Sequence, residues 1–188
     1  MSLETQVTAT LYGPVTTEVF NRAKNIRLLV CDIDGVFSDG YIYLGNDGEE
    51  LKAFNTKDGF GIKAVGSHGV DVAVITGRQS NIVEARMRAL NVKFILQGKE
   101  DKMPHLQAIC QQQGIALEHV AYIGDDVPDL PCIEQVGLGV AVQDAHPLVK
   151  QSADHITTLG GGKGAVRELC DLIMQAQNTL HLATGSSV

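Results

Sequence analysis

The sequence has no Cys-x-x-Cys pair; its four cysteines, Cys31, Cys110, Cys132 and Cys170, are scattered singly. This spacing argues against a zinc site or a disulfide framework and fits a reduced, cytoplasmic compartment. No apolar run reaches the length that a membrane span needs. The first thirty residues lack the basic start, apolar stretch and small-residue cleavage site of a secretion signal, so none is expected. Positive charge is also scarce: 15 Lys and Arg stand against 22 Asp and Glu, a net charge of −7. Nucleic acid and anionic membranes, which are bound chiefly through cations, are poor partners for such a chain.

The 188 residues, 44% of them hydrophobic and 20% charged, suit one compact domain spanning 1–188. Short apolar runs at Arg27–Cys31, Val70–Ile75, Lys93–Leu96, Val120–Ile123 and Gly137–Val142 read as strands. They are continuous rather than alternating, as in strands covered on both faces. Helical patterns stand between or after them, at Gly61–His68, Gln79–Leu90, Met103–Gln113, Pro128–Val136 and Ala165–Gln177. The alternation predicts a doubly wound, Rossmann-like α/β domain with a parallel sheet. One segment, residues 41–54, breaks the pattern and reads as a β-hairpin flap turning through Gly45-Asn46-Asp47-Gly48. The helix and tail over 165–188 follow a glycine-rich stretch, Gly160–Gly164.

In an open α/β sheet the ligand site forms beyond the carboxyl ends of the strands. Asp32-Ile33-Asp34-Gly35 follows the first run, Thr76-Gly77-Arg78 the second, and Gly124-Asp125-Asp126-Val127-Pro128-Asp129 the fourth, while Lys102 precedes a helix. Asp32 and Asp34 are two apart, so at a strand end their carboxylates point the same way and repel unless a cation lies between them. With Asp125 and Asp126 they form an all-oxygen donor set, which suits magnesium better than zinc. Thr76 and Lys102 offer a hydroxyl and a fixed positive charge of the kind that holds phosphoryl oxygens. Any one of these signals alone is ordinary turn or cap chemistry. Asp129 is well placed to orient the loop rather than ligate. The six histidines show no ligand spacing.

Four motifs in this order, Asp-x-Asp-Gly, Thr-Gly-Arg, Lys and Gly-Asp-Asp-x-x-Asp, resemble those of the haloacid dehalogenase superfamily of phosphatases. The resemblance implies that Asp32 is a nucleophile forming an aspartyl-phosphate and that Asp34 is the acid–base residue. It also implies magnesium held by Asp32, Asp125 and the backbone carbonyl of Asp34, with Asp126 anchoring a metal-bound water. Neither interval between motifs has room for a cap domain.

At a finer level the chain resembles capless, tetrameric members acting on a sugar acid phosphate. The carriers are Tyr12–Val15, Asp32–Gly40, Gly48–Lys63, Ile75–Arg78, Gly124–Pro131, Asp144–Pro147 and Gly161–Glu168. Carried over by position, substrate contacts fall on Asp34, Asn55, Thr56, Lys57, Asp58, Gly59, Lys63, Arg78, Arg86 and Lys102. Lys63 stands where such enzymes carry Arg, so a bidentate carboxylate contact is lost there. A hairpin with Tyr41, Tyr43 and Phe54 cannot bury itself alone, so a homotetramer with hairpins packed between subunits is expected. The tail, Asn178–Val188, is a candidate for reaching a neighbouring site. Two rivals are a related phosphatase for another sugar acid phosphate and a phospho-Asp receiver module. Receivers place their acidic pair first, whereas here Asp125-Asp126 comes last.

Overall fold

Continuous apolar runs become the strands of one buried sheet. The computed structural model describes residues 6–183. In chain order these comprise β1 (Val7–Thr10), β2 (Gly13–Thr16), α1 (Thr17–Lys24), β3 (Leu28–Cys31), β4 (Tyr43–Leu44), β5 (Glu50–Leu51) and α2 (Thr56–Ser67), then β6 (Asp71–Ile75), α3 (Asn81–Ala89), β7 (Phe94–Leu96) and α4 (Met103–Gln113). After these come β8 (Val120–Gly124), α5 (Leu130–Ile133), β9 (Leu138–Ala141), α6 (Pro147–Ser152), β10 (His155–Ile156) and α7 (Ala165–Ala176). Six strands form a sheet in the order β10-β9-β8-β3-β6-β7, every adjacent pair parallel. All four residues of β3 are buried, as expected of a central strand covered on both faces. Helices α1, α2 and α7 pack together, and α4, α5 and α6 form a second packed group. The doubly wound α/β fold without a cap domain therefore stands.

The chain runs from β3 outward through β6 to β7, then returns to the other side of β3 for β8, β9 and β10. The order thus reverses between β3 and β8. At such a switch point the loops leaving two neighbouring strands turn away from each other and open a crevice. Asp32 and Asp125 are the first residues past those two strands, and the Asp32 amide extends the pairing by donating to the Ile123 carbonyl at 3.1 Å.

Several elements differ from the sequence expectation. A first hairpin, β1–β2, precedes the sheet; the Tyr12 hydroxyl in its turn donates to Asp171 of α7 at 2.8 Å, tying it to the body. Helix α2 starts at Thr56, five residues before the predicted Gly61, because the Asn55 side chain accepts from the Lys57 amide at 2.9 Å and caps it. The helix predicted over Pro128–Val136 is only α5, entered through a 3₁₀ turn over Val127–Asp129. The flap is a true hairpin, with Tyr43 opposite Leu51 and Leu44 opposite Glu50. Its turn is closed by the Gly48 amide donating to the Gly45 carbonyl at 3.1 Å, with Gly48 at φ 83°. Of the tail, Leu180–Leu182 forms a 3₁₀ turn, and residues 184–188 lie outside the described residues.

Candidate active site

The strands that end at the crevice deliver polar side chains into it. The resulting cleft, about 430 Å³, is lined by Asp32, Asp34, Thr76, Arg78, Lys102, Asp125, Asp126 and Asp129 among others. Asp32 follows β3, Thr76 follows β6, Asp125 follows β8, and Lys102 is the residue that opens α4. Lys102 is almost fully buried, and its ammonium lies 2.8 Å from Asp32 and 2.7 Å from Asp129. Burial works against that charge, but the two carboxylates hold its pKa above the ordinary lysine value.

Asp129 is the hub that keeps this arrangement rigid. One of its oxygens accepts from Lys102 Nζ and from the Tyr122 hydroxyl, both at 2.7 Å. The other accepts from the backbone amides of Asp125 at 3.0 Å and Asp126 at 3.2 Å. A carboxylate with four donors already on it has little capacity left for an ion, so Asp129 orients the loop and the lysine. Sequence reasoning found this residue but not Tyr122, which lies inside a strand and carries no motif.

Oxygens of Asp32, Asp125 and Asp129 lie within 4.8 Å of one another. Crowding of like charges in a buried place shows in their protonation. Burial first, then Asp32 and Asp129, push Asp125 up to about 8. Burial, reinforced by Asp129 and opposed by Lys102, also raises Asp32. Carboxylates that resist joint ionisation are stabilised by a cation between them, and a purely oxygen donor set fits magnesium. With Asp129 committed to its donors, Asp32 and Asp125 are the two carboxylates free to hold it. Gly35 is shaped by the same crowding: its φ is 91°, and a Cβ there would lie 2.1 Å from an Asp125 oxygen.

Asp126 does not join that cluster. One oxygen of its carboxylate accepts from the Val127 amide at 2.8 Å and caps the 3₁₀ turn, which places the side chain at the rim of the cleft. Asp34 is half-exposed and paired with Lys52 of the flap, a partner that sequence reasoning missed. Lys52 also lies 3.8 Å from Glu50, whose other oxygen accepts from Arg78 Nη2 at 2.9 Å.

The remaining expected substrate contacts lie outside the cleft of a single chain. Asn55, Thr56, Lys57, Asp58 and Gly59 form the cap and first turn of α2 rather than a binding loop. Asp58 corrects the expectation most clearly. It is fully buried, and its Oδ1 accepts from the Arg167 amide at 2.8 Å, capping α7 instead of facing ligand. Arg86 packs against that turn, its Nη2 2.5 Å from where a Gly59 Cβ would stand. Lys63 lies two turns further along α2, roughly 10 Å on at 1.5 Å per residue, and lines a separate cavity with Asp71 and Lys93.

The chain aligns over 180 residues, 96% of its length and 96% of the relative's, with 3-deoxy-D-manno-octulosonate 8-phosphate phosphatase of Salmonella typhi at 51% identity. A profile of haloacid dehalogenase-like hydrolases matches residues 91–167. The chain belongs to the haloacid dehalogenase-like hydrolases. A crystal structure of another family member, 3-deoxy-D-manno-octulosonate 8-phosphate phosphatase from Yersinia pestis, superposes with a TM-score of 0.96 at 51% identity, covering 98% of this chain and 100% of that one. A third haloacid dehalogenase-like relative, the phosphatase of the same name from Moraxella catarrhalis, was crystallised with magnesium, phosphate and 3-deoxy-D-manno-octulosonate (KDO). It is 42% identical, covers 88% of this chain and 95% of its own, and has a TM-score of 0.86.

Proposed function

We propose that this chain is a magnesium-dependent phosphatase that hydrolyses 3-deoxy-D-manno-octulosonate 8-phosphate to the free sugar acid and inorganic phosphate, a step in lipopolysaccharide biosynthesis. The observation that carries the reading is the meeting of Asp32, Asp34, Thr76, Lys102 and Asp125 in one cleft at the switch point, in a chain 51% identical to phosphatases of that substrate.

Asp32 is the nucleophile. One of its oxygens attacks phosphorus as the bond to the sugar oxygen breaks, leaving an aspartyl-phosphate and the sugar acid. Asp34 donates a proton to the departing oxygen, then takes one from the water that attacks the aspartyl-phosphate; phosphate leaves and Asp32 is restored. Lys102, fixed between Asp32 and Asp129, holds its charge where negative charge gathers on the phosphoryl oxygens, and the Thr76 hydroxyl donates to one of them. The carboxylates of Asp32 and Asp125 and the backbone carbonyl of Asp34 would hold magnesium, with Asp126 at the rim beside a bound water. When bound, the ion supplies neutralisation of charge on the phosphoryl group.

Arg78, at the lip of the cleft, provides a guanidinium for the sugar acid carboxylate. Asn55, Thr56, Lys57, Gly59, Lys63 and Arg86 reach substrate, on this reading, across subunits of a homotetramer whose hairpins pack together. That assembly is supported by the exposure of Tyr41, Ile42, Leu44 and Leu51 on the flap. The chain acts as one domain over 1–188, in the cytoplasm, where its four free cysteines stay reduced.

The test is phosphate release from a panel of sugar phosphates with magnesium, comparing wild type with Asp32→Asn. Turnover should be highest on the 3-deoxy-octulosonate ester and drop by on the order of a thousandfold or more in the variant. Retained turnover would overturn the mechanism; preference for a neutral sugar phosphate would overturn the substrate alone.

A further inference from the structure

The flap does not hang free over the cleft: it is tied to it by a line of alternating charges. Asp34 accepts from Lys52, Lys52 lies 3.8 Å from one oxygen of Glu50, and the other oxygen of Glu50 accepts from Arg78 Nη2 at 2.9 Å. Glu50 thus presents a carboxylate whose two oxygens face two different cations at the edge of the phosphate site. Lys52 is deeply placed, its side chain 3% exposed, although it springs from a two-stranded flap. Arg78 and Glu50 are more open, at 44% and 28%.

Two cations converging on one carboxylate is the arrangement a sugar acid would need for its own carboxylate. In a chain with net charge −7, such a pair of cations beside the catalytic groups is scarce, and Glu50 fills it. We propose that Glu50 is an internal competitor, a carboxylate that occupies Arg78 and Lys52 in the free enzyme and exchanges with the carboxylate of substrate and product. The inference rests on the reading of this cleft as that of a sugar acid phosphatase. It adds Lys52 to the carboxylate site and gives Glu50 a role in the cycle.

On binding, the substrate's carboxylate replaces that of Glu50, so Arg78 passes from one partner to another without being left bare. After hydrolysis, Glu50 returns to Arg78 and helps to expel the free sugar acid. Affinity for both ligands is therefore held below what Arg78 and Lys52 would give alone. A half-exposed ion pair supports a difference of about threefold to fivefold.

The experiment uses full-length, magnesium-loaded protein as wild type, Glu50→Gln, Arg78→Gln and the double variant. Binding of free 3-deoxy-D-manno-octulosonate is measured by calorimetry, and KM for its 8-phosphate and for p-nitrophenyl phosphate, which has no carboxylate, by phosphate release. In Glu50→Gln, the sugar acid Kd and the sugar ester KM should both fall about threefold to fivefold, while KM for p-nitrophenyl phosphate stays within about twofold. In the Arg78→Gln background, the same substitution should change both by less, leaving only the share that Glu50 takes through Lys52. Unchanged Kd and KM in Glu50→Gln would overturn the proposal, as would an equal change with Arg78 absent, which marks a loosened flap instead. Should wild type fail to hydrolyse the sugar ester, the functional reading fails, and the calorimetry still decides the exchange.

Discussion

Asp129 never touches the reacting phosphorus on this reading, yet the site's geometry depends on it. Its four donors include the buried ammonium of Lys102, the Tyr122 hydroxyl and two loop amides. In Asp129→Asn the carboxylate becomes an amide, and one acceptor oxygen turns into a donor that faces donors. Lys102 then keeps only Asp32 as a charged partner. We expect a loss of about 3 kcal/mol of stability, the range for one partner removed from a buried pair. The fall in kcat should be on the order of a hundredfold as the lysine loses its fixed position. Thermal unfolding and steady-state kinetics check the two separately. Tyr122→Phe, which removes a single hydrogen bond to a charged acceptor, should cost about 2 kcal/mol and leave kcat near wild type.

Among the elements, α2 and α7 are joined by Asp58, which is buried at the start of one helix and caps the other. Burial raises its pKa to about 6, against the pull of the α7 amides; its Oδ2 has no hydrogen-bond partner among the described residues. In the unfolded chain the group has its usual value of 3.8. Between pH 4 and 6 the folded state therefore binds more protons than the unfolded state, and stability falls as pH rises through this window. Asp32 and Asp125, whose carboxyls are raised too, add slopes of the same sign, so Asp58→Asn, whose amide does not titrate, should remove only the share of Asp58. Urea unfolding at pH 4.5 and pH 7 should show wild type losing roughly 1 to 3 kcal/mol more between the two conditions than the variant loses. An equal slope in both proteins would exclude Asp58 as its source. The same helix shows where sequence reading stops. Strands such as β3 and β6 were readable because burial on both faces demands an unbroken apolar run, and Met103–Gln113 because its ends carry a proline and a glycine. Asn55–Gly59 fell outside the helix expected from Gly61 because nothing in a single sequence marks Asn55 as its cap. The pattern of β1 is half-exposed and holds through Tyr12 and Asp171, partners 159 residues apart. Asp32, Asp34, Thr76, Lys102 and Asp125 were readable because each follows a strand or opens a helix at the sheet's carboxyl end. Lys52 and Glu50 were not, since ion pairs across a flap follow no period.

At the scale of the whole molecule, the flap raises the question of what covers it. Tyr41 is 69% exposed, Leu44 71% and Leu51 63%, on a hairpin with only two residues in each strand, where Leu51 pairs with Tyr43 and Leu44 with Glu50. An isolated hairpin of this size is not stable in water. Part of the answer lies within the chain, since Phe54 packs against the core and Lys52 and Glu50 anchor the base through Asp34 and Arg78. The exposed apolar side chains of the two strands have no such anchor among the described residues, and exposed apolar groups gathered on one small element suit an interface. If copies of the flap pack together, Leu44→Asp places a charge in that contact without disturbing the sheet. Sedimentation should then shift from tetramer to monomer while circular dichroism keeps its α/β signature. Activity should fall by on the order of tenfold, because the assembled flaps are what shields the cleft from water. A wild-type protein that sediments as an active monomer would refute the assembly, and with it the route by which Lys63 reaches a substrate that its own chain holds at the other end of the sheet.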